Sequence, residues 1–195
     1  MSLRDDNAQR ARRLLLDAAR REFLEQGYEG ASVRRIVAEA GVSTGTLFNY
    51  FHNKLDLLHQ VFRSDLEVVL GEVLAVEDTS SISDQLAAMV KIPLGHFAAQ
   101  PQLSRVLLKE SLFATGESGA AFREQATRFA ADVQRRFERA VAKGEAHVAP
   151  PVATLSFMSA YYFGLITCLA SDPPNVEQAL KLIVLQFDPM LGRTL

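Results

Sequence analysis

The chain has 195 residues, 21 of them basic and 23 acidic for a formal net charge of −2, and 48% are hydrophobic. Those figures describe a globular chain long enough to bury a core, and they exclude a collagen-like, disulfide-dense or low-complexity polymer. Cys168 is the single cysteine, so no internal disulfide forms, and the polar stretch 1–13 lacks the apolar run of a secretory signal; a reducing cytoplasm is the expected compartment.

The charge is uneven along the chain. Residues 1–64 carry ten basic and eight acidic side chains, whereas the remainder carries eleven against fifteen. A mildly positive front on an acidic body points weakly to an anion-binding module.

Leu15, Ala18, Ala19 and Phe23 recur at helical spacing, and Gly27 stops that segment. The next stretch carries the most information. Ser32 is placed to cap a short helix that buries Val33, Ile36, Val37 and Ala40. Gly41 then stands where a left-handed C-cap is needed, and Val42 fills the angle beyond it. Ser43 caps a second short helix, Thr44 to Tyr50, anchored inward by Leu47 and Phe51. Two helices too short to stand alone, joined by a tight glycine turn, form a helix-turn-helix unit, whose second helix enters the DNA major groove. Its outward side chains, Thr44, Thr46, Asn49 and Tyr50, are hydroxyls, an amide and a phenol, which suit base edges and phosphate oxygens. Gly45 lets the backbone approach a phosphate. Ser43 with the free amides at that helix start, and the amides near Lys54 at the next, form anion sites. Arg34 projects toward the groove margin.

Farther on, residues 77–81 form a loop. Leu86, Met89, Val90 and Phe97 make a helical stripe in which Pro93 predicts a kink or break. A helix starts at Pro101 and buries Leu103, Val106, Leu107 and Leu112; a second loop is expected over 114–119. Phe122, Ala126, Phe129, Val133, Phe137, Ala140 and Val141 form a long stripe closed by Gly144. Its opposite face carries Arg123, Glu124, Arg128, Asp132, Arg135, Arg136, Glu138 and Arg139, and is expected in solvent. The segment 146–171 contains no Lys, Arg, Asp or Glu. Pro150-Pro151, the many hydroxyls and the lack of tryptophan and basic flanks argue against a membrane span, so burial on all sides is expected, with a ligand cavity on one side and a partner subunit on the other. After Pro173-Pro174, the stripe Val176, Ala179, Leu180, Ile183, Val184 and Phe187 forms the last helix. No strand-like alternation occurs, and the fold class is all-α.

The pattern Ser32-Val33-Arg34-x-Ile36-x-x-x-Ala40-Gly41-Val42-Ser43-x-Gly45-Thr46-Leu47-Phe48-x-Tyr50-Phe51-x-x-Lys54-x-x-Leu57, with Leu15-Leu16-x-Ala18-Ala19-x-x-x-Phe23-x-x-x-Gly27-Tyr28 before it, resembles the N-terminal domain of TetR/AcrR transcriptional regulators. The resemblance covers about a quarter of the chain. It implies a helix-turn-helix DNA-binding domain over 1–53 and a helical ligand-binding and dimerisation domain over 54–195. By carry-over, Arg34, Thr44, Gly45, Thr46, Phe48, Asn49, Tyr50 and Lys54 occupy DNA-contacting positions. The family usually has Tyr where this chain has Phe48, so one phosphate-contacting hydroxyl is absent. The resemblance further implies a homodimeric repressor, paired through its last two helices, on a palindromic double-stranded operator.

An apolar cavity with few polar groups is the usual small-molecule site. The candidates to line it are Met89, His96, Phe97, Leu107, Glu110, Phe113, Phe129, Phe157, Met158 and Tyr161, favouring a hydrophobic effector. A regulator without an effector, controlled by a protein partner or acting as an activator, is the alternative that the N-terminal motif does not exclude. An enzyme does not fit. The four histidines lack metal-ligand spacing, Cys168 has no adjacent base, and no phosphate loop occurs, so neither metal nor cofactor is expected.

Overall fold

The computed structural model describes residues 3–112, 116–187 and 191. Among them the chain forms nine helices and no strand: α1 (Leu3–Gly30), α2 (Val33–Ala40), α3 (Thr44–Tyr50), α4 (Lys54–Leu74), α5 (Ile82–Ala99), α6 (Pro101–Leu112), α7 (Gly116–Ala142), α8 (Pro150–Ala170) and α9 (Val176–Phe187). The chain divides into two compact units, Met1–Leu66 with Gln102–Gly119, and Glu67–Pro101 with Ala120–Leu195. The dividing line along the chain thus falls inside α4, and α6 belongs with the N-terminal helices.

In the first unit, Leu15, Ala18, Ala19 and Phe23 of α1 face Ile36, Val37 and Ala40 of α2, Leu47 of α3, Leu57, Leu58, Val61 and Phe62 of α4, and Leu103 and Leu107 of α6. Gly27 interrupts α1 at φ 68°, ψ 175°, a backbone conformation open to glycine and strained for other residues.

In the second unit, α8 and α9 pack closely. A Cβ added to Gly164 would overlap the side chain of Ile183, which is buried. Ile183 is therefore a core residue of the protomer. Of the kink or break expected at Pro93, the break does not occur: helix α5 runs on through it. Proline costs one helical hydrogen bond, but Leu86, Met89, Val90 and Leu94 around it are fully buried, and that burial outweighs the loss. The loop expected over 114–119 is helical from Gly116 onward. Helix α8 is long and apolar enough to cross a membrane by length and composition, a test that a core helix also passes. It is not buried on all sides within the protomer, because Val152, Leu155, Phe163 and Ile166 stand at 55%, 70%, 60% and 47% exposure.

The charged face of α7 departs from expectation. Asp132 and Arg136 are buried and paired, with Arg136 Nε donating to the Asp132 carboxylate at 2.8 Å. Arg136 further donates to Gln85 Oε1 of α5 at 2.8 Å and to the Val76 carbonyl at 2.7 Å. Gln85 in turn donates to Asp78 at 2.8 Å, and Arg139 pairs with Asp78 at 2.7 Å. Periodicity places these groups on the solvent side of α7; the adjoining 75–85 segment covers them and supplies partners for Arg136 and Arg139. Arg136→Ala leaves Gln85 Oε1 buried without its donor and the Asp132 carboxylate with Arg135, at 2.8 Å, in place of two arginines. We expect it to destabilise the fold by about 3 kcal/mol or more, read as a lowered urea midpoint.

Candidate nucleic-acid interface

The short helices α2 and α3 are fixed from their ends and from beneath. The Glu22 carboxylate, buried on α1, accepts the Ser32 N–H at 2.8 Å and Arg35 Nε at 2.7 Å, while Arg35 also donates to the Gly30 carbonyl at 2.9 Å. Ser32 sits at the expected cap position, but its side chain makes no cap hydrogen bond. Glu22 binds the Ser32 amide, so a carboxylate from a neighbouring helix takes over part of the capping task. Burial pushes the Glu22 carboxyl up, but the hydrogen bonds from Arg35 and Ser32 together outweigh it and leave it below the usual carboxylate range.

Gly41 ends α2 in the left-handed region at φ 66°, ψ 32°, with Val42 N–H bonded to the Val37 carbonyl at 3.0 Å. Ser43 then caps α3, its Oγ accepting Thr46 N–H at 3.0 Å and lying 2.9 Å from Thr46 Oγ1. Leu47 is fully buried and Phe51 nearly so. With those two anchors inward, Thr44, Gly45, Phe48 and Asn49 are exposed, and Thr46 and Tyr50 are half-buried. Arg34 and Ser43 are exposed on the same unit. The start of α4 is capped reciprocally, Asp56 N–H donating to Asn53 Oδ1 at 2.8 Å and His52 N–H to Asp56 Oδ2 at 2.9 Å.

Lys54 differs from a free phosphate ligand. Its ammonium donates to the Tyr28 carbonyl at 2.7 Å and lies 3.3 Å from the Ala31 and 3.4 Å from the Glu29 carbonyl. It also sits 4.6 Å from the centroid of the Tyr28 ring. The ammonium thus sits at the end of α1, where a cation meets the negative end of the helix. Neither this clamp nor the Glu22–Arg35 link is among the sequence expectations. A signal for the second exists: Glu22 falls in the apolar register of Leu15, Ala18, Ala19 and Phe23, where a carboxylate needs a partner.

The proposed ligand-facing residues divide between the units. Leu107 is part of the first unit's core, and Glu110 lies in that unit too. In the second unit, Phe129 meets Tyr161 edge-on at 5.4 Å and Phe157 at 6.2 Å, and His96 meets Phe97 at 5.7 Å. Met89 and Met158 are buried there as well, whereas Phe113 lies outside the described residues.

A capped helix with a polar, exposed outer face over a fixed apolar floor is a helix-turn-helix DNA-binding unit. Residues 15–61 match the family model described as bacterial regulatory proteins, tetR family. An HTH-type transcriptional repressor of Mycobacterium tuberculosis is 28% identical over 92% of this chain and 94% of its own length. Among solved structures, a TetR-family transcriptional regulator from Pectobacterium atrosepticum superposes with a TM-score of 0.77 at 18% identity, covering 97% of this chain and 98% of that one. AibR, solved in complex with isovaleryl coenzyme A and operator DNA, superposes with a TM-score of 0.62 at 22% identity over 89% of this chain and 96% of that one. Residues 15–61 thus carry the helix-turn-helix DNA-binding domain of the tetR family, and the chain as a whole is similar to HTH-type transcriptional repressors.

Glu22 also makes stability depend on pH. Its folded-state pKa lies below the unfolded value, so its contribution is complete above the ordinary carboxylate range and is lost as pH falls through the lowered value. Glu22→Gln should lower the melting temperature at neutral pH and flatten its decline below about pH 4, as thermal melts followed by circular dichroism at stepped pH will show.

Proposed function

We propose that the protein represses transcription as a homodimer whose two α3 helices bind a palindromic operator, and that a small hydrophobic effector releases it. The carrying observation is the α3 face, where Thr44, Gly45, Thr46, Phe48, Asn49 and Tyr50 lie over buried Leu47 and Phe51. Asn49 offers the paired donor and acceptor that match adenine. Tyr50, Ser43 and Arg34 serve the flanking phosphates, and Lys54 acts from its clamp at the end of α1, holding the start of α4 in place beside the backbone.

One short helix contacts too few bases to select a site, and two related by a two-fold axis read half-sites about 34 Å apart or a multiple of that. The dimer reading is supported by the exposed apolar stripe Val152, Leu155, Phe163 and Ile166 on α8, with Leu185 of α9 at 51% exposure. The effector reading is supported by the aromatic group Phe129, Phe157 and Tyr161 with Met89 and Met158, a lining suited to an apolar ligand. The isovaleryl coenzyme A bound by AibR makes short acyl-CoA thioesters the first compounds to try.

Selecting DNA fragments with the purified protein yields the operator. On it, Asn49→Ala should weaken binding by roughly tenfold, corresponding to the loss of about 1–3 kcal/mol for a base contact, and Tyr50→Ala should weaken it through the lost phosphate contact; unchanged gel-shift affinity for both removes the assignment of α3. Dimerisation is tested separately. Phe163→Lys together with Leu155→Lys should convert a dimer into a folded monomer by light scattering, because both side chains are exposed in the protomer. Ile183 is unsuitable for that test, since a charge there attacks the core of the protomer.

A further inference from the structure

The α3 face leaves a second feature of the first unit unused. Between α1 and α4 lies an open groove of about 570 Å³, lined in part by Arg12, Arg13, Asp17, Arg20 and Gln60. Arg20 is occupied, donating twice to Asp65 at 2.7 Å and once to the Val61 carbonyl at 3.1 Å. Among the described residues Arg12 makes one hydrogen bond, to Gln60 Oε1 at 3.0 Å. Arg13 is exposed and forms no ion pair among the described residues. A guanidinium carries five donors in a planar fork that fits two phosphate oxygens, so Arg12 and Arg13 keep most of their capacity.

The location of the groove decides what anion it meets. The Arg12 guanidinium lies 5.7 Å from the centroid of the Phe51 ring, and Phe51 is the C-cap of α3. One edge of the groove is therefore at the C-terminal end of the recognition helix. A helix lying in a major groove about 12 Å wide has a phosphate strand on each side of it. We propose that Arg12 and Arg13 make the α1–α4 groove a seat for a DNA backbone phosphate, extending the interface from α3 onto α1. This rests on the DNA-binding reading of α3. The seat carries no sequence information; it adds affinity and fixes the register of the headpiece. Asp17, on the same lining, opposes the phosphate and moderates its grip.

The test uses the full chain and a labelled mixed-sequence DNA duplex, titrated by fluorescence anisotropy at several potassium chloride concentrations. The Arg12→Ala/Arg13→Ala double variant should bind roughly tenfold more weakly at low salt, and the slope of log affinity against log salt should become shallower by about 1 for each phosphate the variant no longer neutralises. Arg13→Glu should act in the same direction, and it avoids the Phe51 and Gln60 contacts whose loss could disturb folding. Asp17→Asn should bind more tightly with a steeper slope, an effect that a merely structural role does not produce. If Arg13→Glu and Asp17→Asn leave affinity and slope unchanged while Asn49→Ala still alters site selection, the groove proposal is overturned and the α3 reading stands. Calorimetric binding of inorganic pyrophosphate that Arg13→Glu abolishes, with duplex affinity untouched, overturns it in favour of a small-anion site. If Asn49→Ala is silent as well, the DNA reading of α3 fails with it.

Discussion

Helix α3 has seven residues, about half of what an isolated helix needs to form in water, so its position depends on what Leu47 and Phe51 bury. Those side chains are four apart and share one face, which leaves Thr44, Gly45, Phe48 and Asn49 exposed, while Thr46 and Tyr50 are half-buried and Tyr50 packs against the core cluster. The floor they belong to is shared with four other helices: Phe23 of α1, Ile36 of α2, Leu58 of α4 and Leu103 of α6 are in the same cluster. Everything that orients the outer face follows from this. The Gly41 backbone sets where α3 starts, Ser43 and Phe51 close its two ends, and Glu22 and Lys54 hold the neighbouring helix ends in register. A looser floor would leave the same polar residues present but unable to meet a base edge in one fixed geometry.

The charges in the first unit serve this architecture before they serve DNA. Arg20, Arg21, Arg35 and Lys54 are each engaged, with Asp65, Glu39, Glu22 and the carbonyls at the end of α1 respectively. The positive excess of the N-terminal region is already small, and these pairings leave less of it available as a general field. Recognition then depends on a few placed contacts. Arg12 and Arg13 stand out against that background because their positions leave guanidinium donors over.

Much of the headpiece is legible in the sequence because its determinants are local. Gly41, Ser43 and the spacing of Leu47 from Phe51 act within one or two turns, and the bounds of α3 and α9 agree with the pattern. What the sequence hides is set by long-range partners. A serine before α2 looks like a cap, yet the group that binds its amide is ten residues away on α1. Asp132 and Arg136 look like solvent-facing charges until Gln85 and the Val76 carbonyl are brought to them. Pro93 looks like a kink or a break because local chemistry predicts one, and with tertiary burial around it the helix does not break. The ligand-facing residues are the least legible, since an aromatic stripe on a helix has the same pattern whether it meets a ligand or a neighbouring helix.

In the uncharged segment 146–171, composition alone allows a membrane span, a core helix or an interface, and burial distinguishes between its two sides. Ala153, Phe157, Ala160, Gly164 and Cys168 are buried inside the protomer, at spacings that keep them on one side of the helix. Val152, Leu155, Phe163 and Ile166 occupy the other side and stand exposed in the protomer. An apolar row of that length on a free monomer invites association, and a second copy of the chain offers the same row to it. In the proposed dimer, a two-fold axis through such a contact would present two identical headpieces. That is the symmetry a palindrome requires, so the side of α8 that contributes nothing to the protomer's own core is the side that would supply site selection by the pair.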